Sequence, residues 1–180
     1  GWEALDVATG AGHCALAFAP RVRRVVALDL TGPMLEAAAR LAAERGISNF
    51  ETRAGDAESL PFPDGSFDLV TCRLAFHHFP RPARAAGDLA RVLKPGGTLG
   101  FTDNIVVADP AGKAHYNTFE RLRDPSHHEV LARAARIAVL EGAGLYTVLT
   151  RRLTKELEFH EWADRQRVAR EHLDRNAEVV

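Results

Sequence analysis

Short apolar runs alternate with longer segments in which apolar residues recur every three or four positions. The runs predict strands at Ala4 to Ala8, Val25 to Leu30, Phe50 to Ala54, Phe67 to Arg73 and Thr98 to Asn104. Between them the period predicts a short helix from His13 to Ala19, stopped by Pro20. A longer helix, "GPMLEAAARLAAERG", is entered through Thr31 and closed by Gly46. A third helix, Arg84 to Leu93, ends in the turn "KPGG". Strands alternating with helices imply an α/β domain with a doubly wound, mostly parallel sheet. The later part is less regular. It predicts a loop at "RDPSHH", a helix from His127 to Glu141, a strand from Tyr146 onward and an amphipathic surface helix from Glu161 to Asn176.

The 180 residues suit a single domain, with residues 1–104 as its core and 105–180 supplying later elements. A net charge of −1, with both signs interspersed, gives no footprint for nucleic acid. No apolar run approaches the roughly 18 residues a membrane span needs, and no signal-peptide pattern opens the chain. Cys14 and Cys72 are far apart inside apolar segments, as packed, reduced thiols are. Together these features predict a cytoplasmic protein with a small-molecule partner.

The stretch "LDVATGAGHCAL" places Gly10 and Gly12 where the first strand hands over to a helix, and Gly10 to Ala15 matches G-x-G-x-x-A. Glycine turns of this kind let backbone approach a ligand. Asp29, 19 residues after Gly10, stands where a carboxylate can accept from ribose hydroxyls. A nicotinamide dinucleotide and any other adenosine-bearing molecule both satisfy this pattern, and a plain tight turn is the simplest alternative. Asp6 lies inside the first strand and needs donors, either turn amides or a ligand ammonium. Asp56 after the third strand can accept from an adenine amine, or close an Asx turn.

Five stretches in order, "LDVATGAGHCAL", "VVALDLTGPML", "RAGDAESLPFPDGSFDLV", "CRLAFHHFPRP" and "RVLKPGGTLGFTDN", resemble the class I S-adenosylmethionine-dependent methyltransferases. The similarity is to methyltransferase type 11 and to the branch named for ubiquinone and menaquinone biosynthesis, and "RDPSH" and "LEFHEWADR" also look like that branch. The resemblance implies the class I methyltransferase fold, with S-adenosyl-L-methionine as cofactor and S-adenosyl-L-homocysteine as product. It implies that Asp6, Ala8, Thr9, Gly10 and Gly12 contact the amino-acid portion of the cofactor and Asp29 the ribose. Leu30 and Met34 would pack on adenine, although Met34 also suits helix core. Asp56 and Ala57 would meet the adenine edge, and Arg73 and Leu74 would supply backbone near the ammonium. Relative to the family, both ends of the chain read as cut short, which predicts an open cleft and a sheet edge that a second copy can cover.

On the acceptor side, Phe76, His77, His78 and Phe79 follow the fourth strand at the edge where such sheets bind ligands. His77 and His78 are candidate general bases, needed only if the acceptor atom carries a proton; anchoring a loop is the alternative. Adjacent histidines without a third ligand do not make a metal site. Phe76 and Arg123 are candidate acceptor contacts. Arg123 can instead pair with Asp124, Ser126 can cap the next helix, and the Arg73 side chain can bind an anionic acceptor or pair on the surface. Three functions stay open: methyl transfer to oxygen, nitrogen or carbon of a small molecule, an NAD(P)-dependent oxidoreductase, and a non-catalytic cofactor-binding or interaction fragment.

Overall fold

The computed structural model describes residues 1–106 and 109–154. Five strands, β1 (Glu3–Val7), β2 (Arg24–Asp29), β3 (Phe50–Ala54), β4 (Phe67–Arg73) and β5 (Leu93–Thr102), form one sheet in the order β3-β2-β1-β4-β5. Every neighbouring pair is parallel. The helices are α1 (His13–Phe18), α2 (Gly32–Glu44), α3 (Pro82–Arg91), α4 (Pro110–Arg123) and α5 (Arg133–Gly142).

Strand residues of alternate parity point to opposite faces, and both faces are covered. Leu5, Val7, Val26, Leu28, Val70 and Cys72 pack with Ala85, Ala86 and Leu89 of α3 and with Val139 and Leu140 of α5. On the other face Ala4, Val25, Ala27 and Leu69 pack with Ala15 of α1 and with Phe18, Ile47 and Phe50. Asp6 shares the parity of Ala4 and therefore points toward α1, beside its register partner Thr71 in β4. Both cysteines are free. No helix among the described residues is long and apolar enough to cross a membrane.

Several elements differ from the sequence-based expectation. Strand β5 begins at Leu93 instead of Thr98, because "KPGG" forms an irregularity inside the strand, with Gly96 at φ +78. It ends at Thr102, before Asp103 turns to meet another loop. Helix α3 starts at Pro82, whose fixed φ suits the first helical turn. Helix α4 was not foreseen. Its signal is Asp109, which caps the first turn by accepting from the Gly112 amide at 2.6 Å, followed by Pro110.

Helix α5 begins at Arg133, not His127, because the preceding residues are held by tertiary bonds. The amides of His128 and Glu129 donate to the His77 carbonyl, and the Val130 amide donates to Asn117 Oδ1. Ser126 therefore caps no helix; its amide and hydroxyl both donate to Asp124 Oδ1 in an Asx turn. No strand forms at Tyr146: residues 146–154 have no regular element, and Tyr146, Val148, Leu149 and Leu153 are exposed. An isolated strand without a neighbour is not stable in water. The expected helix from Glu161 to Asn176 lies outside the described residues.

Candidate functional site

The chain winds from β1 through α1 to β2 on one face of the sheet, and from β4 through α3 to β5 on the other. The carboxyl ends of β1 and β4 therefore flank the point where the winding reverses, which leaves a crevice. Two residues without glycine's freedom mark its sides. Ala8, just after β1, and Leu74, just after β4, both have φ +54. Left-handed backbone at such residues costs on the order of 1–3 kcal/mol each and persists where surrounding structure imposes it. At Leu74 the amide donates to the Thr102 carbonyl at 2.7 Å; beside Ala8 the Thr9 amide donates to the Leu28 carbonyl at 2.9 Å.

The turn itself is built by two carboxylates. Asp6 is 1% exposed and accepts from Thr71 Oγ1 at 2.5 Å, Thr9 Oγ1 at 2.6 Å and the Ala15 amide at 3.2 Å. Burial pushes its pKa up, and those donors, with the Cys14 thiol, push it back down. With only protein donors around it, Asp6 fixes the turn from below. Desolvation and the neighbouring Asp6 raise the Cys14 thiol to about 11, so it is no nucleophile at neutral pH.

Asp29 is the second carboxylate. Its Oδ2 accepts from the Gly10 amide at 2.8 Å, and its Oδ1 accepts from the Thr31 amide at 2.9 Å and hydroxyl at 2.7 Å. A carboxylate offers about four acceptor positions, so one remains for a ligand hydroxyl.

The two glycines of the turn have different reasons. A Cβ on Gly10 (φ +55) would meet nothing within 4 Å, so the space over this residue is open to a ligand. A Cβ on Gly12 (φ +81) would come to 2.9 Å from Ala38 Cβ and 3.3 Å from Phe50 Cζ. Gly12 is thus required by close packing of the turn on α2 and β3.

Around the crevice, Leu30 is 75% exposed, with Met34 and Leu74 also open to solvent. Met34 is not helix core. Asp56 is exposed and forms the Asx turn, accepting from the Glu58 amide at 2.8 Å through Oδ1. Its Oδ2 has no hydrogen-bond partner among the described residues. Ala57 is buried beneath it, and Arg73 is exposed at the end of β4. An open apolar margin, a carboxylate with an acceptor position to spare and an uncrowded Gly10 fit an adenosine-bearing ligand.

Beyond β4 the residues 76–78 form a short helical turn. Phe76 is 3% exposed and packs edge-on against Phe79 and Phe101, so it anchors the turn and offers little surface to an acceptor. His77 is buried, and its Nδ1 lies 2.6 Å from Asp103 Oδ1. His78 Nδ1 is 3.1 Å from both the carbonyl and the hydroxyl of Ser126. Arg123 donates through Nη2 to Glu120 Oε2 at 2.6 Å, both side chains being largely buried, and its charge also helps to lower the pKa of the Asp124 carboxyl. Sequence reasoning missed Thr71, Asp103 and Arg136 because each acquires its partner from a distant segment, and missed Tyr116 and Glu120 because they belong to the unforeseen helix α4. Among the described residues no group of three or more His, Cys, Asp or Glu side chains could hold a metal ion.

His127 is buried between these elements. Asn117 Nδ2 donates to the Lys113 and Val130 carbonyls, which fixes Asn117 Oδ1 as an acceptor for the His127 Nε2–H at 2.8 Å. Nδ1 of His127 therefore carries a lone pair, and it has no partner among the described residues. Burial, with His77 and His78 nearby, lowers its pKa to about 4, against a smaller opposing effect of Glu120. The unfolded chain binds this proton near pH 6.5 and the folded chain does not, so stability falls as pH drops from about 6.5 toward 4. The loss reaches roughly 3 kcal/mol. Urea unfolding at pH 7 and pH 5 should show this decline, and His127→Gln should flatten it; an equal slope in both proteins would refute the assignment.

A parallel sheet with this strand order, a glycine turn over β1 and an acidic residue closing β2 form a doubly wound nucleoside-binding frame that the class I methyltransferases share. The family model for the methyltransferase domain matches residues 5–101, and the chain belongs to the class I S-adenosylmethionine-dependent methyltransferases. It is 47% identical over 123 residues to YcgJ of Bacillus subtilis (strain 168), an uncharacterized methyltransferase, covering 68% of this chain and 49% of that protein. The crystal structure of YcgJ superposes with a TM-score of 0.96 at 35% identity, over 99% of this chain and 76% of that one. YafE of Escherichia coli (strain K12), an uncharacterized protein, is 38% identical over 151 residues, 83% of this chain and 72% of YafE. The demethylmenaquinone methyltransferase of Thermus thermophilus is 46% identical over 97 residues, 53% of this chain and 44% of that enzyme. The sequence match spans about half the length of YcgJ and of the Thermus enzyme.

Proposed function

We propose that the crevice between β1 and β4 binds S-adenosyl-L-methionine and that the protein transfers its methyl group to oxygen, nitrogen or carbon of a small molecule. The observation that carries this reading is the grip of Asp29 on the Gly10 amide, with an acceptor position left over and open space above Gly10. Asp29 takes the ribose. Leu30 and Met34 hold the adenine face, with Asp56 at its edge above Ala57. The backbone from Ala8 through Thr9 to Gly12, and that of Arg73 and Leu74, lines the amino-acid portion. When bound, the cofactor supplies a methyl carbon already activated by its sulfonium, so the protein's main task is orientation, worth up to about 7–11 kcal/mol of barrier.

Residues 1–104 serve as the cofactor-binding core, which also carries His77 and His78 toward the acceptor, and 105–180 supply acceptor-side elements, Arg123 among them. Arg123 reaches an anionic acceptor only by sharing its guanidinium with Glu120. A second copy covering an exposed sheet edge remains part of this proposal, with the cytoplasm as the place of action.

Thermal unfolding tests the cofactor. A ligand present at 100 times its dissociation constant stabilises the fold by about 2.7 kcal/mol. S-adenosylhomocysteine should raise the melting temperature and NADH should not. Stabilisation by NADH alone would restore the oxidoreductase reading, and binding of S-adenosylhomocysteine without methyl transfer in any longer form of the chain would favour a non-catalytic module.

A further inference from the structure

We infer that Glu58 is a positioning residue that makes the adenine edge of the crevice selective, so that it admits a 6-amino purine and refuses a 6-oxo purine. This rests on the methyl-transfer reading above, in which Asp56 meets the edge of the base. Glu58 itself is turned away from the ligand, with a side chain 4% exposed and engaged by α3. Its Oε1 accepts from the Arg81 amide at 2.6 Å and its Oε2 from Arg81 Nε at 2.7 Å. Arg81 is the N-cap of α3, so the carboxylate also lies at the positive end of that helix. The backbone of Glu58 is held as well, since Arg84 Nε donates to its carbonyl at 2.9 Å.

That hold passes to Asp56 through the Asx turn. The Glu58 amide donates to Asp56 Oδ1 at 2.8 Å, and the Ser59 amide donates to the Asp56 carbonyl at 3.1 Å. Asp56 is itself exposed, so its direction depends on this turn and not on packing. Farther along the same loop other groups take over: Asp88 accepts from the Leu60 amide, and Arg91 donates to the Leu60 and Phe62 carbonyls at 3.0 and 2.7 Å. At the Asp56 end the tie to α3 is made by Glu58.

Fixing a carboxylate changes what it can recognise. Adenine presents an exocyclic N–H at its 6 position, whereas a 6-oxo purine presents a carbonyl oxygen there and carries its own N–H at the neighbouring N1. A carboxylate free to turn follows the donor from one position to the other and accepts either base. A held carboxylate meets the 6-oxo base oxygen against oxygen, and that repulsion rejects it. Selection thus depends on the rigidity that Glu58 gives to Asp56, beyond the presence of Asp56 alone.

Calorimetric titration with S-adenosylhomocysteine and S-inosylhomocysteine, its 6-oxo counterpart, tests this. The wild type should prefer S-adenosylhomocysteine by about 10–100-fold, the effect of one hydrogen bond to a charged group. Glu58→Ala should lose most of that preference, and Asp56→Ala should lose it as well. Glu58→Gln, which keeps one of the two acceptor oxygens, should fall between wild type and Glu58→Ala, and it carries the test if Glu58→Ala does not fold. Arg91→Ala, which frees the other end of the loop, should lower the urea midpoint and leave the preference unchanged, a separation that a merely structural role of Glu58 does not produce. Equal binding of both ligands by the wild type, or undiminished preference in the Glu58 variants, overturns the positioning role. So does an Arg91→Ala variant that loses the preference as Glu58→Ala does, or an Asp56→Ala variant that keeps it. Failure of S-adenosylhomocysteine to bind the wild type at all overturns the methyl-transfer reading instead.

Discussion

Asp29→Ala is expected to weaken S-adenosylhomocysteine binding by about two to three orders of magnitude. Two losses combine. The ribose loses a charged acceptor, where a hydrogen bond is worth about 1.5–3 kcal/mol, and each 1.4 kcal/mol is a tenfold change in affinity. The Gly10 amide and both Thr31 donors also lose their acceptor, so the turn is no longer held in its binding conformation. Asp29→Asn keeps one acceptor oxygen and should fall between the two. Calorimetric titration reads all three proteins. An Asp29→Ala variant with wild-type affinity would mean that the sugar sits elsewhere.

Asp6→Ala should cost about 3–5 kcal/mol of folding stability, a large share of the 5–15 kcal/mol a domain usually has. Thr71, Thr9 and Ala15 all donate to this one buried carboxylate. Removing the acceptor strands donors at about 1–3 kcal/mol for each that cannot reach water, and it leaves a cavity between β1 and α1. Asp6→Asn repairs the arrangement only in part, since its oxygen serves the donors on one side while its NH2 presents hydrogens to those on the other. Thr71→Val, which removes a single donor, should cost about 1 kcal/mol. Urea unfolding at pH 7 ranks the three. Similar midpoints for Asp6→Ala and wild type would show that the carboxylate is not the centre of the turn.

The reach of the sequence follows the range of the interactions involved. Strands β1 to β4 are legible because their apolar runs and bounding turns are local, and Asp29 because its distance from Gly10 is fixed by one βα unit. Helix α4 carries a local signal too, in Asp109-Pro110, which composition alone hides among polar residues. The start of α5 is illegible because Asn117 and the His77 carbonyl, far away in sequence, claim the amides of residues 128–130. For the same reason "RDPSHH" suggests an Arg123–Asp124 pair, while the folded chain places Arg123 on Glu120, one helical turn back. Asp103 appears in the sequence only as the residue after a strand. Its meaning comes from a contact across 26 positions.

The placement of β1 at the middle of the sheet sets an order of events during synthesis. Its carboxylate cannot find Thr71 until 65 further residues have been made, and at about 5–20 residues per second that is several seconds. The β1 segment leaves the ribosome well before the fourth strand and waits for it before the turn above β1 can close. A chaperone that shields the nascent "LDVATGAGHCAL" would therefore act when the protein is most exposed.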